Sequence, residues 1–125
     1  MPTPYDITIP LFAPNGIVRA GTRLNSVRPF RAITIIDVVA WLYGADNFSA
    51  SPGEIQVDLK LGSASILSSP VRIVPGQLHS KIAGTAQPVL TTTAVAAMQE
   101  LVPDILAYGI AARGLCIGIV ANLVE

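Results

Sequence analysis

Residues 54–62, EIQVDLKLG, alternate between polar and apolar at nearly every step. Ile55, Val57, Leu59 and Leu61 fall on one side, and Glu54, Gln56, Asp58 and Lys60 on the other. Successive side chains of a strand point to opposite faces, so this period of two predicts a strand with one core face and one wet face. Cross-strand ion pairing is the expected use of its charged side. Gly62 and Ser63 supply a turn into ASIL (64–67), which predicts a hairpin. Residues 31–44, RAITIIDVVAWLYG, pose a different problem. From Val38 onward one face carries Val38, Ala40 and Leu42, and the other Val39, Trp41 and Tyr43. Both faces are apolar. The first is assigned to a core, with Asp37 marking a candidate bulge that shifts the register. The face of Val39, Trp41 and Tyr43 is then the candidate interface.

The remaining pattern is short and heavily punctuated. Pro2, Pro4, Pro10 and Pro14 crowd the first fifteen residues, which predicts an extended arm with YDITI (5–9) as an edge strand. Such an arm can pack on its own domain or reach a neighbour. IVRAGTRLNSVR (17–28) alternates loosely and reads as a strand bent near Gly21. Short strands are expected at VRIV (71–74), QLHSKIAG (77–84) and VLTTT (89–93). AVAAMQEL (94–101) reads as two helical turns capped by Thr93 and ended by Pro103. DILAYGI (104–110) and LCIGIVANLV (115–124) close the chain as strands, although Pro103 could equally open a second short helix. The sum is an all-β, jelly-roll-like β-sandwich with an extended N-terminal arm and at most one or two short helices. Residues 1–27 form the arm and first strand, and residues 28–125 the sandwich domain.

Composition changes this picture in one respect. Only 13% of the 125 residues are charged, against roughly 25% in ordinary domains. So low a charge density points to surface that is covered in an assembly. The formal net charge of zero disfavours a nucleic-acid binder driven by phosphate neutralisation. No run approaches the roughly 18 apolar residues of a membrane-spanning helix. The start MPTPYDITIP has no signal-peptide pattern, so synthesis in a cytoplasm is expected. The charge is unevenly spread: Arg19, Arg23, Arg28 and Arg31 face only Asp6 in the first 31 residues. This basic segment is a candidate for docking on an acidic neighbour or on another copy of the chain.

Candidate chemistry is sparse. His79 is the only histidine and Cys116 the only cysteine. His79 reads as a polar surface residue and Cys116 as a small buried one. Glu54 and Asp58 could be placed like paired glycosidase carboxylates, but Gln56 and Lys60 share their face. Neither a nucleophile elbow nor a metal-ligand spacing is present. No enzyme and no cofactor are expected. Trp41, Tyr43 and Phe48 could stack on sugar rings, with burial as the competing role for Trp41 and Tyr43.

Three segments taken in order carry a resemblance: RPFRAITIIDVVAWLYGA (28–45), GEIQVDLKLGSASIL (53–67) and DILAYGIAARGLCIGIVANLV (104–124). Together they resemble small jelly-roll-like β-sandwich domains of tailed-bacteriophage virion proteins, found in capsid decoration proteins and in head or tail fibres. The resemblance implies a virion structural protein without catalytic residues. The first expectation is a capsid decoration (cement) protein that forms a homo-oligomer such as a trimer. It would contact the major capsid protein or another virion protein, without nucleic acid or membrane. Val39, Trp41 and Tyr43, with Arg19, Arg23, Arg28 and Arg31, are the expected contact residues. The alternative is a fibre tip or adhesin module that binds host-surface glycans.

Overall fold

The computed structural model of the protein describes residues 3–12, 16, 18–19, 21–22, 25–43, 53–108 and 112–124. Among these residues the regular structure is all β. In chain order the strands are β1 (Ile7–Pro10), β2 (Gly21–Thr22), β3 (Ile33–Trp41), β4 (Ile55–Leu61), β5 (Ala64–Ser65), β6 (Leu67–Ser69), β7 (Val71–Ile73), β8 (Val89–Leu90), β9 (Ala94–Val95), β10 (Leu101–Tyr108) and β11 (Cys116–Leu123). One sheet runs β1-β11-β3-β9 and the second β2-β10-β4-β5, with β7 also paired to β4. β6 and β8 form a separate pair. All pairings are antiparallel. The two larger sheets curl around one apolar core in a β-sandwich. Ile9, Ile33, Ile35, Ile117 and Ile119 come from the first sheet, and Ile55, Val57, Leu59, Leu101 and Ile105 from the second.

The two-sided strand is resolved by its bulge. β3 pairs with β11 from Cys116–Trp41 to Leu123–Ile33, and the register slips where Val120 opposes Asp37 and Ala121 opposes Ile35. Ile36 is the extra residue, and its side chain is 54% exposed. The Asp37 carboxylate accepts the Val38 amide at 2.8 Å and so holds the kink. One inserted residue inverts the alternation. Ile33 and Ile35 point inward before the bulge, and Val38, Ala40 and Leu42 after it.

The β4 alternation holds on its apolar side, where Ile55, Val57 and Leu59 are buried. Gly62 makes the following turn at φ +66°, a left-handed conformation that glycine adopts without a Cβ clash. The charged side departs from expectation at Asp58, which is 9% exposed and accepts the Ser65 hydroxyl at 2.7 Å. Its neighbours do form ion pairs: Lys60 with Asp104 at 3.1 Å and Arg72 with Glu54 at 3.3 Å.

Two expectations are corrected. Residues 94–101 are not helical: Ala94 and Val95 pair with Thr34 and Ile33 at the edge of β3, and Val95 is buried. A turn follows, closed by the Gln99 amide on the Ala96 carbonyl at 3.2 Å, and Met98 takes φ 68°. A two-turn helix gains few backbone bonds for its nucleation cost, whereas this segment gains sheet pairing and a core residue. Pro103 neither ends nor opens a helix, because it lies inside β10. The Leu101 amide and carbonyl both bond Val27, so by alternation the Pro103 nitrogen faces the same side. There the partner register jumps from Val27 at Leu101 to Thr22 at Asp104, and that irregular stretch accommodates a residue without an amide hydrogen.

The N-terminal segment packs on its own domain as far as it is described. β1 is an edge strand on β11, Ile9 and Val18 enter the core, and β2 pairs with β10. Residues 77–84 form no named strand, yet they cover the free edge of β3. Leu42 donates its amide to the Leu78 carbonyl at 2.7 Å, and Ser80 donates to the Ala40 carbonyl at 2.9 Å. The Ser80 hydroxyl in turn accepts the buried Ala40 amide at 2.9 Å. Ser80→Ala leaves that amide without its acceptor and is expected to cost about 1–3 kcal/mol. Urea unfolding measures the change, and an unaltered midpoint would show that the Ala40 amide finds another partner.

Candidate functional site

The outer face of the β1-β11-β3 ladder is set by register. Pro10, Cys116 and Trp41 stand in one row across the three strands, and Thr8, Gly118 and Val39 in a second row on the same face. Val120 and Asp37 continue it towards the bulge. Side chains of paired residues share a face, so Val39 and Trp41 lie opposite the core with Cys116 and Val120. Trp41 and Val39 are half-buried, Val120 is 38% exposed and Tyr43 is 55% exposed.

Gly118 explains how Trp41 is held. A Cβ built on Gly118 would lie 2.8 Å from Trp41 Cζ3 and 2.9 Å from Val39 Cγ2. The six-membered ring of the indole therefore sits over Gly118, where only a glycine leaves room. The ring forms one wall of an open pocket of about 340 Å³, completed by Pro10, Leu11, Phe12, Tyr43, Gly114 and Cys116. The walls converge by backbone pairing: the Leu11 and Phe12 amides bond the Leu115 carbonyl at 2.9 and 3.2 Å, and the Tyr43 amide bonds the Arg113 carbonyl at 3.2 Å.

Cys116 sits in this pocket wall and is half-buried, a correction to its expected place in the core. Burial pushes its thiol pKa up, so it stays protonated at neutral pH and is a weak nucleophile. His79 is exposed, bridges to Trp41 through the backbone, and accepts the Lys81 amide on Nδ1 at 3.1 Å. Lys81 reaches on to pair with Asp37 at the bulge. Among the described residues no group of three His, Cys, Asp or Glu side chains is placed to hold a metal ion.

The described basic residues of the N-terminal segment do not gather at this face. Arg28 donates to the Met98 carbonyl at 2.7 Å and lies 3.9 Å from Glu100. Arg28 and Arg31 precede β3, whereas Trp41 ends it, which separates them by about 30 Å along the strand. Exposed Phe30 and Met98 share that far end. Arg19 is exposed at the pocket end, next to Val18, whose amide bonds the Ala112 carbonyl at 2.7 Å. Arg23 and Phe48 lie outside the described residues. Sequence reasoning missed Phe12 and Arg113 as part of this site. The available signal was AARG ahead of the closing strand, which returns the chain to the end of β3.

No protein-family model matches the chain, and no curated protein matches it in sequence. Among solved structures it is similar to the acid-stable capsid of Helicobacter pylori bacteriophage KHP30, at 10% identity and TM-score 0.43, over 98% of this chain and 88% of that one. It is also similar to the Drosophila NLP core, a structure described for pentamer formation and histone binding. That match has 13% identity and TM-score 0.39, over 98% of this chain and 99% of that one.

Gly118→Ala tests the seating of the indole. The added methyl forces the ring and Val39 outward, with an expected loss of about 1–3 kcal/mol in stability and a red shift of Trp41 emission. Unchanged emission in the folded variant would show that the ring does not rest on β11.

Proposed function

We propose that this chain is a non-enzymatic virion structural protein, a capsid decoration (cement) protein that strengthens a phage head. In this reading the outer face of the β1-β11-β3 ladder seats against the shell or a further copy of the chain. The observation that carries the reading is the continuous apolar surface of Val39, Trp41, Cys116 and Val120, with exposed Tyr43 at its end. A contiguous patch of this kind is a cost in water that contact with another protein removes. Only 13% of residues are charged, which supports an assembled rather than a solitary state. The three-segment resemblance to phage virion sandwiches supports placing that assembly on a particle.

A second reading has its own observation. Phe12, Trp41 and Tyr43 line one open pocket, and aromatic walls of this kind can stack on sugar rings. The chain would then be a glycan-binding module at a fibre tip.

Quantitative mass spectrometry of purified particles separates the two. A cement protein is expected in high copy number and as a homo-oligomer, such as a trimer, in solution. A monomer at micromolar concentration with water-exposed Trp41 emission, or absence from particles, would overturn the first reading. Low copy number, with glycan binding that Trp41→Ala abolishes while the oligomer stays intact, would establish the second.

A further inference from the structure

The charges on this surface divide into two groups. The described carboxylates are already engaged. Asp37 pairs with Lys81, Glu54 with Arg72, and Asp104 with Lys60. Asp58 and Glu100 accept the hydroxyls of Ser65 and Ser26 at 2.7 and 2.9 Å, and Asp6 accepts the Ala121 amide at 3.3 Å. Arg19, Arg113 and Arg31 are exposed, and among the described residues no carboxylate lies within ion-pair distance of any of them; Arg31 belongs to the opposite end of β3. Among the described residues, the end that carries Arg19 and Arg113 is therefore cationic although the formal net charge of the chain is zero.

The backbone places Arg113 next to the pocket wall and Arg19 on the segment that runs beside it. Val18 bonds Ala112 at 2.7 Å and Gly114 bonds Gly16 at 3.0 Å, so the segments carrying Arg19 and Arg113 run side by side. Val18 and Ala112 are buried, and the residue after each of them is exposed. The Tyr43 amide on the Arg113 carbonyl then fixes Arg113 beside the wall made by Tyr43 and Gly114. The result is an apolar, aromatic pocket with Arg113 beside its wall and Arg19 on the adjoining segment, neither ion-paired among the described residues.

We propose that this pocket takes an apolar side chain from an acidic segment of a partner protein, with Arg19 and Arg113 receiving that segment's carboxylates. The inference rests on the docking reading above and names the chemistry of the partner. About 340 Å³ lies at the small end of ligand-pocket volumes and suits one or two side chains. Its side-chain walls offer the Trp41 indole N–H, the Tyr43 hydroxyl and the weakly donating Cys116 thiol for hydrogen bonds. A sugar ring carries more hydroxyls than these three groups can pair, whereas a Phe or Leu side chain has no hydrogen bond to lose on entry. Charge complementarity does the selecting: two arginines near the pocket with no ion-pair partner among the described residues favour carboxylates and repel basic segments.

Trp41 is the single tryptophan and forms a pocket wall, so its emission reports occupancy directly. Three short capped peptides are titrated to millimolar concentration at low salt. The first places one Phe among Asp and Glu residues, the second replaces that Phe by Ser, and the third replaces the acids by Lys. The acidic Phe peptide is expected to give a saturable response that weakens with salt, with the other two about tenfold weaker. The doubly substituted Arg19→Glu, Arg113→Glu protein, checked as folded by near-ultraviolet circular dichroism, is expected to reverse the charge preference. Equal response to the Lys peptide, equal response to the Ser peptide, or no saturable response to any would overturn the inference. Particle occupancy separates this failure from that of the docking reading. Wild-type protein abundant on particles but without peptide preference overturns only the partner chemistry. Absence from particles overturns the docking reading even where the peptide preference holds.

Discussion

The pairing of β3 with β11 is the constraint on which the remainder of the molecule depends. Both strands are apolar on both faces, so hydrophobicity alone does not say which side of either is inside. The bulge at Ile36 settles this for β3, and the register with β11 passes the decision across the sheet. Ile117, Ile119 and Ala121 are thereby turned into the core with Val38, Ala40 and Ile35, and burial of one such large aliphatic side chain contributes about 1.5–3 kcal/mol. The same register sends Cys116, Gly118 and Val120 outward with Trp41 and Val39. Core and candidate site are the two faces of one hydrogen-bonded ladder.

The rest of the sandwich supports that ladder by satisfying its edges with little regular structure. β1 extends the sheet on the β11 side, and Pro10 at its end, with Pro4 ahead of it, limits further strand addition. On the other side β3 is covered by Ala94–Val95 over its first half and by residues 78–80 over its second. Ser80 substitutes a hydroxyl for a strand carbonyl at the Ala40 amide. In the second sheet Pro103 is tolerated because its nitrogen faces the side of β10 where the partner register jumps between Val27 and Thr22. Short irregular segments thus do work that longer strands do elsewhere, in agreement with the density of proline and glycine along the chain.

At the pocket end, apolar and charged features meet for a positional reason. β1 ends, β3 ends and β11 begins at the same edge of the sheet, so Phe12, Tyr43 and Gly114 are neighbours although they are far apart in sequence. Arg113 rides on the turn into β11 and Arg19 on the segment beside it. Arg28 and Arg31 belong to the opposite end, where Arg28 is spent on Glu100 and the Met98 carbonyl. The described arginines of the first 31 residues, Arg19, Arg28 and Arg31, are therefore close in sequence and divided between the two ends in space.

Local pattern by itself determined the all-β class, the β4 hairpin, the edge strand at the N-terminus and the inward face of Val38, Ala40 and Leu42. Each of these rests on a period of two or on a turn residue, and such signals are carried by adjacent positions. Residues 94–101 were misread as helix because their composition is locally neutral and only pairing with β3 favours the strand. Asp58 and Cys116 were misplaced for a related reason, since the depth of a residue depends on what another strand lays over it. The pocket, the Gly118 seat for Trp41 and the nearness of Arg19 to Arg113 were decided by tertiary structure alone. They arise from contacts between residues tens of positions apart, which no local window of the chain contains.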